Sequence, residues 1–278
     1  MDVAIFEEPK IDCHVHVFDP ARFPYGTNTH YAPTAQEIGT PTQLAQVMDA
    51  YGTRYALLVG PNSGYGLDND CMLDTIARGA GRYKGIAVVA NDATLDALQA
   101  LRRAGVVGVA WNVTHYGVDY YRDAEPLLQK LVALDMFVDI QVEHEQLIHL
   151  MPLLTNSGAR ILMDHCGRPT ANAGLDEPGF RALLDLGATR RAFMKLSGFV
   201  KFSRRPAPHE DTWPYVAALV KAFSLDHCLW ASDWPYLRAP VHVDYGVLLH
   251  LALTLFPDST DRRRLLWDTP HRLFGFGS

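Results

Sequence analysis

The sequence predicts a (β/α)₈ barrel, in which eight parallel strands alternate with helices around one axis. Eight short apolar segments recur along the 278 residues, and each is followed by a segment whose apolar residues have helical spacing. The strands are continuous apolar runs, as expected for parallel strands covered on both faces. A doubly wound open sheet favours a glycine-rich phosphate turn after its first strand, and this sequence has none there. The length suits one barrel domain over residues 1–278.

The first strand is predicted at residues 11–17. A segment rich in proline, glycine and tyrosine follows at residues 22–41, and its aromatic residues favour an ordered lid of about twenty residues. The other strands are predicted at residues 55–59, 85–89, 106–111, 136–142, 160–164, 192–197 and 227–231. Helices are predicted at residues 42–51, 69–80, 93–104, 122–134, 145–156, 178–187, 212–223, 241–255 and 258–274.

The first strand carries two histidines, His14 and His16, two positions apart. Side chains alternate between the faces of a strand, so we expect Asp12, His14 and His16 on one face and Cys13 on the other. Two imidazoles about 6–7 Å apart along a strand can converge on one metal ion or one polar substrate group. This strand is therefore the first candidate for a functional site.

Further polar residues stand at the carboxyl ends of other strands, where the active sites of such barrels lie. Asp164 and His165 end the sixth strand, and Asp233 follows the eighth. Taken alone, a pair of histidines is a weak signal, and an aspartate at a strand end often caps a helix. Three histidines and a carboxylate that reach one mouth from three strands predict a single site.

The composition excludes several classes of function. A formal net charge of −6 and a pI near 6.0 argue against a nucleic-acid partner. The start of the sequence does not resemble a signal peptide, and no apolar run reaches the ~18 residues that span a bilayer. Four cysteines without CxxC spacing are typical of reduced thiols. We expect a cytoplasmic protein without a membrane partner, and leave open whether it forms a homo-oligomer.

These residues stand in motifs that resemble the amidohydrolase superfamily, in particular its lactonase branch, which includes pyrone-dicarboxylate, sugar and muconolactone lactonases. The resemblance covers nearly the whole chain and implies a barrel fold and a hydrolase acting on a small lactone. The motifs are Asp12-x-His14-x-His16, Phe23-Pro24-Tyr25, Asp164-His165-x-Gly167-Arg168-Pro169, Leu196-Ser197-Gly198, Ser232-Asp233-Trp234-Pro235 and Pro270-x-Arg272-Leu273-Phe274.

The resemblance implies a role for each central residue. Asp233 corresponds to the general base that activates water, and His14, His16 and His165 correspond to the cluster that polarises the substrate carbonyl. The same four side chains would form the site of a single divalent metal, with zinc as the expected ion, if one binds. We expect that no metal is required, because a lactone is already an activated ester.

A second set of residues is assigned to substrate binding: Arg168, Lys201, Tyr31, Asn62, Ser63 and Asn112. Lys201 stands where dicarboxylate-binding members carry an arginine, and lysine offers a point charge instead of a bidentate fork. Two further arginines of those members are replaced by Ala110 and Tyr116. A monocarboxylate or neutral lactone is therefore expected. Trp111, Trp234 and Tyr236 are expected to wall the pocket, whereas His115, His144 and Glu143, which follow the fourth and fifth strands, are only candidates for its border.

Other functions remain open at this point. A zinc-dependent decarboxylase or amidohydrolase would use the same scaffold and the same four central residues. A lactone isomerase would need them too, with a neighbouring hydroxyl in place of water. A binding module without catalysis is disfavoured because all four residues are present.

Overall fold

The computed structural model describes residues 4–27, 29, 31–170 and 173–277. Eight strands form one parallel sheet in which each strand pairs with the next in sequence. The strands are β1 (Lys10–Val15), β2 (Thr53–Val59), β3 (Tyr83–Ala87), β4 (Val106–Asn112), β5 (Phe137–Gln141), β6 (Arg160–Met163), β7 (Ala192–Leu196) and β8 (Cys228–Trp230). Helices lie between them, so the predicted single-domain (β/α)₈ barrel is confirmed.

Every predicted strand and helix is present, with its ends shifted by a few residues at most. The helices of the barrel are Pro41–Ala50, Asp70–Arg78, Leu95–Arg103, Glu125–Ala133, Gln146–Ser157, Pro178–Ala188, Trp213–Phe223 and Tyr245–Leu255. The chain ends in the helical segments Ser259–Arg263, Arg264–Asp268 and Thr269–Phe274, and begins with a short helix, Ala4–Glu7. Short helical turns that the sequence pattern did not predict are Ala35–Glu37, Asn62–Tyr65, Val113–Tyr116, Asp119–Tyr121, His165–Gly167, Phe199–Phe202, Glu210–Thr212 and Leu225–His227.

Two hydrophobic clusters hold the barrel together. The larger lies between the sheet and the helices, and the smaller fills the barrel interior. Phe274 and Phe276 belong to the interior cluster, and Phe274 packs edge-on against Phe137, the first residue of β5, with ring centroids 5.5 Å apart. The C-terminal segment therefore plugs the barrel at the amino ends of the strands. The opposite end of the barrel, at the carboxyl ends of the strands, contains a cavity.

The prediction that Asp12 shares a face with His14 and His16 is wrong. Cys13 packs in the barrel interior, whereas the Asp12 carboxylate accepts a 3.0 Å hydrogen bond from the hydroxyl of Tyr245 in the outer helix layer. The pairing of β1 with β2 shifts register between Asp12 and Val15. Such an irregularity interrupts the alternation of a strand, so His14 turns towards the cavity although Asp12 turns away.

The cysteines and the helices can also be compared with the sequence predictions. Each of the four cysteines is buried and free of a disulfide. Among the residues that the structure describes, no helix combines the length and the apolar character needed to cross a bilayer.

Candidate active site

A cavity of about 440 Å³ opens at the carboxyl ends of the strands. Side chains at the ends of β1, β2, β4 and β5 line it, together with residues in the segments that follow β1, β2, β4, β5, β6, β7 and β8. This is the end of a (β/α)₈ barrel where substrate sites form, because the loops there can vary without disturbing the barrel. The cavity is therefore the candidate active site.

The four central residues predicted from the sequence meet in this cavity. The Nε2 atoms of His14 and His16 lie 3.3 Å apart. Oδ1 of Asp233 lies 3.9 Å from each of these two atoms and 3.8 Å from Nε2 of His165. All four residues are buried, none with more than 8 % of its surface exposed. One carboxylate oxygen thus faces three imidazoles around a space of a few ångströms.

The backbone at two strand ends explains how these side chains turn inward. His165 and Asp233 both adopt left-handed φ angles, +51° and +64°, which are uncommon for residues other than glycine. A strand cannot continue through such a residue, so the chain turns sharply there. Backbone strain of this kind is typically kept at functional sites, where the surrounding structure holds it in place.

The electrostatic environment keeps Asp233 ionised. Burial pushes the pKa of its carboxyl up, but His165, Lys201, His14 and His16 outweigh burial and hold the pKa below its usual value. Burial lowers the pKa of His14 and of His16, and lowers that of His165 to about 4. The centre at neutral pH is therefore a carboxylate among neutral imidazoles, which suits the acceptance of a proton from water.

Hydrogen bonds behind the imidazoles fix their orientation. His16 directs Nδ1 at the carbonyl oxygen of Val59, at 2.8 Å, and His165 directs Nδ1 at the hydroxyl of Ser197, at 3.0 Å. Each ring therefore turns Nε2 towards the centre of the cavity. Ser197 stands in the Leu196-Ser197-Gly198 motif, which accounts for the position of this motif beside the site.

A buried charged network lies behind His14, and the sequence predictions missed two of its members. Lys195 of β7 places Nζ 2.5 Å from Oδ2 of Asp139, 3.0 Å from Oδ1 of Asp164 and 3.3 Å from Nδ1 of His14. A lysine and an aspartate within otherwise apolar strands are the signal that could have revealed them, because such residues are rarely fully buried unless paired.

The surroundings shift the pKa values of the members of this network in different directions. Burial and the neighbouring Asp164 raise the pKa of Asp139 well above its usual value. Burial also disfavours the charged form of Asp164, but His14 and Lys195 hold its pKa well below the usual value. Burial likewise disfavours charged Lys195, but Asp139 and Asp164 keep its pKa raised. The surroundings thus favour the charged forms of Asp164 and Lys195.

Five of the six residues assigned to substrate binding line the cavity. Arg168 does so with its guanidinium 3.3 Å from Oε2 of Glu143, which also lines it. Lys201 lies 3.7 Å from Oδ2 of Asp233 and donates to the carbonyl oxygen of Leu237. The other three lining residues are Asn62, Ser63 and Asn112.

Tyr31 is placed differently. Its hydroxyl donates a hydrogen bond to the carboxylate of Glu37, and Tyr31 is not among the residues that line the cavity. Its ring lies beneath the guanidinium of Arg238, at 5.5 Å, and Arg238 does line the cavity. Sequence reasoning missed Arg238, since its position depends on the path of the loop after β8. Tyr31 therefore does not line the cavity itself but contacts Arg238, which does.

The remaining predicted neighbours divide into two groups. Those that line the cavity are Trp111, His115 and Glu143. The expectation that Trp234 and Tyr236 wall the pocket is wrong, because both line a separate cavity beside the turn at Ala35–Glu37. His144 lies outside the lining as well, with Nδ1 2.9 Å from the hydroxyl of Thr170.

The donor set fits a divalent metal. A tetrahedral ion with ligands at about 2.0–2.2 Å needs ligand atoms about 3.3–3.6 Å apart. The Nε2 atoms of His14 and His16 and Oδ1 of Asp233 lie 3.3–3.9 Å from one another, and Nε2 of His165 lies 3.8 Å from the same oxygen. Shifts of a few tenths of an ångström would bring His14, His16 and Asp233 onto one ion, with imidazole and carboxylate ligands of the kind that zinc prefers, and His165 lies beside this group.

Fold and site together define the class of the protein. Residues 11–276 match the model of the amidohydrolase family. The chain belongs to this family, and it is an enzyme of the hydrolase class. The resemblance based on the motifs is thereby confirmed.

Three named proteins are similar to this chain over most of its length. The chain is similar to a 4-sulfomuconolactone hydrolase from Hydrogenophaga intermedia, with 31% identity over 95% of this chain and 88% of the relative. A 2-pyrone-4,6-dicarboxylate hydrolase from Comamonas testosteroni shares 27% identity over 95% of this chain and 89% of its own length. Among solved structures, a Pseudomonas putida protein assigned as a 2-pyrone-4,6-dicarboxylic acid hydrolase superimposes with a TM-score of 0.85 at 27% identity, covering 97% of this chain and 98% of the other.

Proposed function

We propose that the protein hydrolyses a small lactone, with Asp233 as the general base. The observation that carries the proposal is the single carboxylate oxygen that faces three imidazole nitrogens at 3.8–3.9 Å. A water bound at Asp233 and a substrate carbonyl directed at the imidazoles would lie side by side in that space. The relatives support a lactone substrate, because those named hydrolyse a muconolactone and a pyrone, and both are cyclic esters.

The proposed reaction balances without a further reactant. Asp233 takes a proton from water while the water oxygen forms a bond to the carbonyl carbon, and the carbonyl oxygen becomes an oxyanion. Imidazole N–H groups of the cluster donate to this oxyanion, an effect that is worth about 10²–10³-fold in rate for one donor. The bond from the carbonyl carbon to the ring oxygen then breaks. The ring oxygen leaves with the proton held by Asp233, and a hydroxy acid is released.

Charge in the cavity supports a substrate with one negative group. The cations that line it are Arg168, Lys201 and Arg238, and the acids are Asp139, Glu143, Asp164 and Asp233. The Lys195 ammonium is buried against Asp139 and Asp164. Arg168 and Lys201 stand at positions where related lactonases bind a substrate carboxylate, which supports a monocarboxylate. Ala110 lines the cavity where dicarboxylate-binding members carry an arginine, so the cation for a second carboxylate is missing at this point.

The proposal includes no required cofactor. His14, His16, His165 and Asp233 would hold a zinc ion if one binds, and a bound zinc would supply Lewis-acid polarisation of the carbonyl. A lactone is activated enough for hydrogen bonds to suffice. The buried and unpaired cysteines support a location in the reducing cytoplasm, where a small-molecule lactone is the partner that the cavity takes.

A panel of lactones tests the function. Neutral, monocarboxylate, dicarboxylate and sulfonated lactones of similar size are incubated with the protein, and proton release is followed as each ring opens. We expect the highest kcat/KM for a monocarboxylate. Isomerisation to another lactone releases no proton, and decarboxylation releases carbon dioxide, so product analysis separates the alternatives. Absence of ring opening across the panel would contradict the proposal.

A further inference from the structure

Arg238 lines the cavity without an ion pair. Its backbone N–H donates a 2.7 Å hydrogen bond to Oε1 of Glu37, and its guanidinium lies over the ring of Tyr31, 5.5 Å from the centroid. In the described part of the chain, no carboxylate pairs with this guanidinium. Glu37 does not provide one, since its other oxygen accepts the hydroxyl hydrogen of Tyr31. The N–H donors of the Arg238 side chain are therefore available to a ligand in the cavity.

Two other cations that line the cavity are already engaged. The guanidinium of Arg168 lies 3.3 Å from Oε2 of Glu143. Nζ of Lys201 lies 3.7 Å from Oδ2 of Asp233. A substrate anion that binds at either cation must share it with an acid of the protein. At Arg238 the anion meets no such competitor among the residues that the structure describes.

The turn that carries Arg238 is fixed to the proposed general base. The backbone N–H of Tyr236 donates a 2.8 Å hydrogen bond to the carbonyl oxygen of Asp233, and the N–H of Ala239 donates to the carbonyl oxygen of Tyr236 at 3.1 Å. Arg238 has a φ of +51°, which is uncommon for a residue other than glycine. Backbone strain of this kind clusters at binding and catalytic sites. The backbone of Arg238 is thus held at a fixed place relative to Asp233.

Two residues of the segment after β1 hold the Arg238 side chain and its backbone. The face of an aromatic ring attracts a guanidinium, and Tyr31 provides such a face. The hydroxyl of Tyr31 donates to Glu37, which also accepts the N–H of Arg238. The carbonyl oxygen of Tyr31 in turn accepts a 2.7 Å hydrogen bond from the N–H of Gly64, in the segment after β2. Tyr31 is therefore fixed on one side and supports the guanidinium on the other.

We propose that Arg238 is a specificity residue that binds the carboxylate of the substrate, in addition to Arg168, and that Tyr31 is a positioning residue that acts through Arg238. The ligand is a small ring compound with one carboxylate group. A guanidinium can donate two parallel hydrogen bonds to a carboxylate, so it distinguishes a carboxylate from a neutral group. The inference deepens the proposed function and rests on it for the identity of the ring.

Calorimetry with a compound that cannot be hydrolysed tests the binding role without any turnover. Benzoate is the probe, and benzamide is a neutral counterpart of nearly the same shape. We expect the wild type to bind benzoate more tightly than benzamide. Arg238→Met should weaken benzoate binding by about tenfold or more, the value of a charged hydrogen bond, and benzamide binding by less. Because Arg238 is exposed, this variant should fold as the wild type does.

Arg54→Met is the matched control. Arg54 is also exposed and also lies over an aromatic ring, that of Trp267 at 5.7 Å, but it does not line the cavity. Its substitution should leave the affinity for benzoate unchanged. An unchanged affinity for benzoate in Arg238→Met would overturn the proposal. Wild-type binding of benzoate that is no tighter than that of benzamide would overturn it as well.

Tyr31→Leu tests the positioning role. This variant should raise the dissociation constant of benzoate, and KM for a carboxylate lactone, by about two- to fivefold, the value of a cation–π contact at an exposed site. In Arg238→Met the same substitution should have no further effect, because the ring no longer supports a guanidinium. An equal effect of Tyr31→Leu in both backgrounds, or a loss of kcat without a rise in KM, would contradict positioning through Arg238.

Activity separates this inference from the proposed function. Turnover of a carboxylate lactone and of a neutral lactone of the same size is compared in the wild type and in Arg238→Met. The ratio of the two kcat/KM values should fall by about tenfold or more in the variant. Lactone opening with the same ratio in both proteins would overturn the role of Arg238 and leave the proposed function intact. Weakened benzoate binding in Arg238→Met, in a protein that opens no lactone, would disprove hydrolysis and leave the role of Arg238 intact.

Discussion

The backbone N–H of Asp233 donates a 3.0 Å hydrogen bond to the carbonyl oxygen of His14. The general base and the first imidazole are therefore fixed to each other by the main chain. This bond also helps to close the barrel between β8 and β1, where the amide of His16 donates to the carbonyl oxygen of Trp234 at 2.8 Å. Because closure of the barrel and assembly of the site use the same contacts, the site is as rigid as the fold.

Gly198→Ala is predicted to damage the site through His165. Gly198 has a φ of +66°, and an added Cβ would lie 2.6 Å from Cβ of His165. Gly81→Ala is the matched control, because Gly81 has a φ of +85° and its added Cβ would meet nothing within 4 Å. Both should lose about 1–2 kcal/mol of unfolding free energy from the left-handed backbone. Only Gly198→Ala should also lose kcat, and equal loss in both would disprove the contact argument.

Arg168→Met is predicted to weaken binding of anionic lactones. A charged hydrogen bond is worth about 1.5–3 kcal/mol, so KM should rise by about tenfold or more for a carboxylate substrate. A neutral lactone of the same size should show little change. Arg181→Met serves as the control, since Arg181 pairs with Asp176 at an exposed site. An equal rise in KM for charged and neutral lactones would show that Arg168 does not recognise the carboxylate.

Removal of metal should leave lactone hydrolysis largely intact. The protein is purified without chelator, its zinc content is measured, and turnover is compared before and after chelation. Because neutral imidazole donors and an ionised Asp233 are already in place, we expect turnover to change by less than about threefold. A loss of activity that added zinc restores would favour the zinc-dependent alternative instead.

Lys10 should make stability depend on pH above neutrality. Its Nζ donates to the carbonyl oxygens of Glu8 and Tyr51, both at 2.7 Å, and burial lowers its pKa from 10.5 to about 8. Between about pH 8 and 10.5 the unfolded chain keeps a proton that the folded chain releases, so the contribution of Lys10 to stability rises with pH in this window. The difference in unfolding free energy between wild type and Lys10→Met should therefore shift in favour of wild type from pH 8 to pH 10. A constant or opposite difference would contradict this assignment.

The fold could be predicted because a (β/α)₈ barrel imposes a simple pattern on its sequence. Both faces of each parallel strand are covered, so the strands appear as apolar runs between amphipathic helices. The central residues could be predicted for a related reason. His14, His165 and Asp233 stand at the carboxyl ends of strands, and these ends meet at one face of the barrel. Sequence position alone thus predicted that they would converge.

Other features depend on geometry that no local pattern encodes. Asp12 faces away from the histidines because β1 shifts register against β2, and nothing in the alternation of β1 signals this. Lys195 and Asp139 are single charges in apolar strands, and they meet because β5 and β7 both flank β6. The position of Tyr31 depends on the path of the long loop that follows β1. Register, cross-strand pairing and loop path are set by tertiary packing.

The central claim is that the carboxylate of Asp233 activates the water that opens a lactone. Asp233→Asn preserves the size of the side chain and removes its basicity, and Asp261→Asn provides a control at a surface helix. Steady-state turnover of the best lactone should fall by at least about 10²-fold in Asp233→Asn, with thermal stability retained and the control unchanged. Turnover of Asp233→Asn equal to that of the wild type would contradict the account.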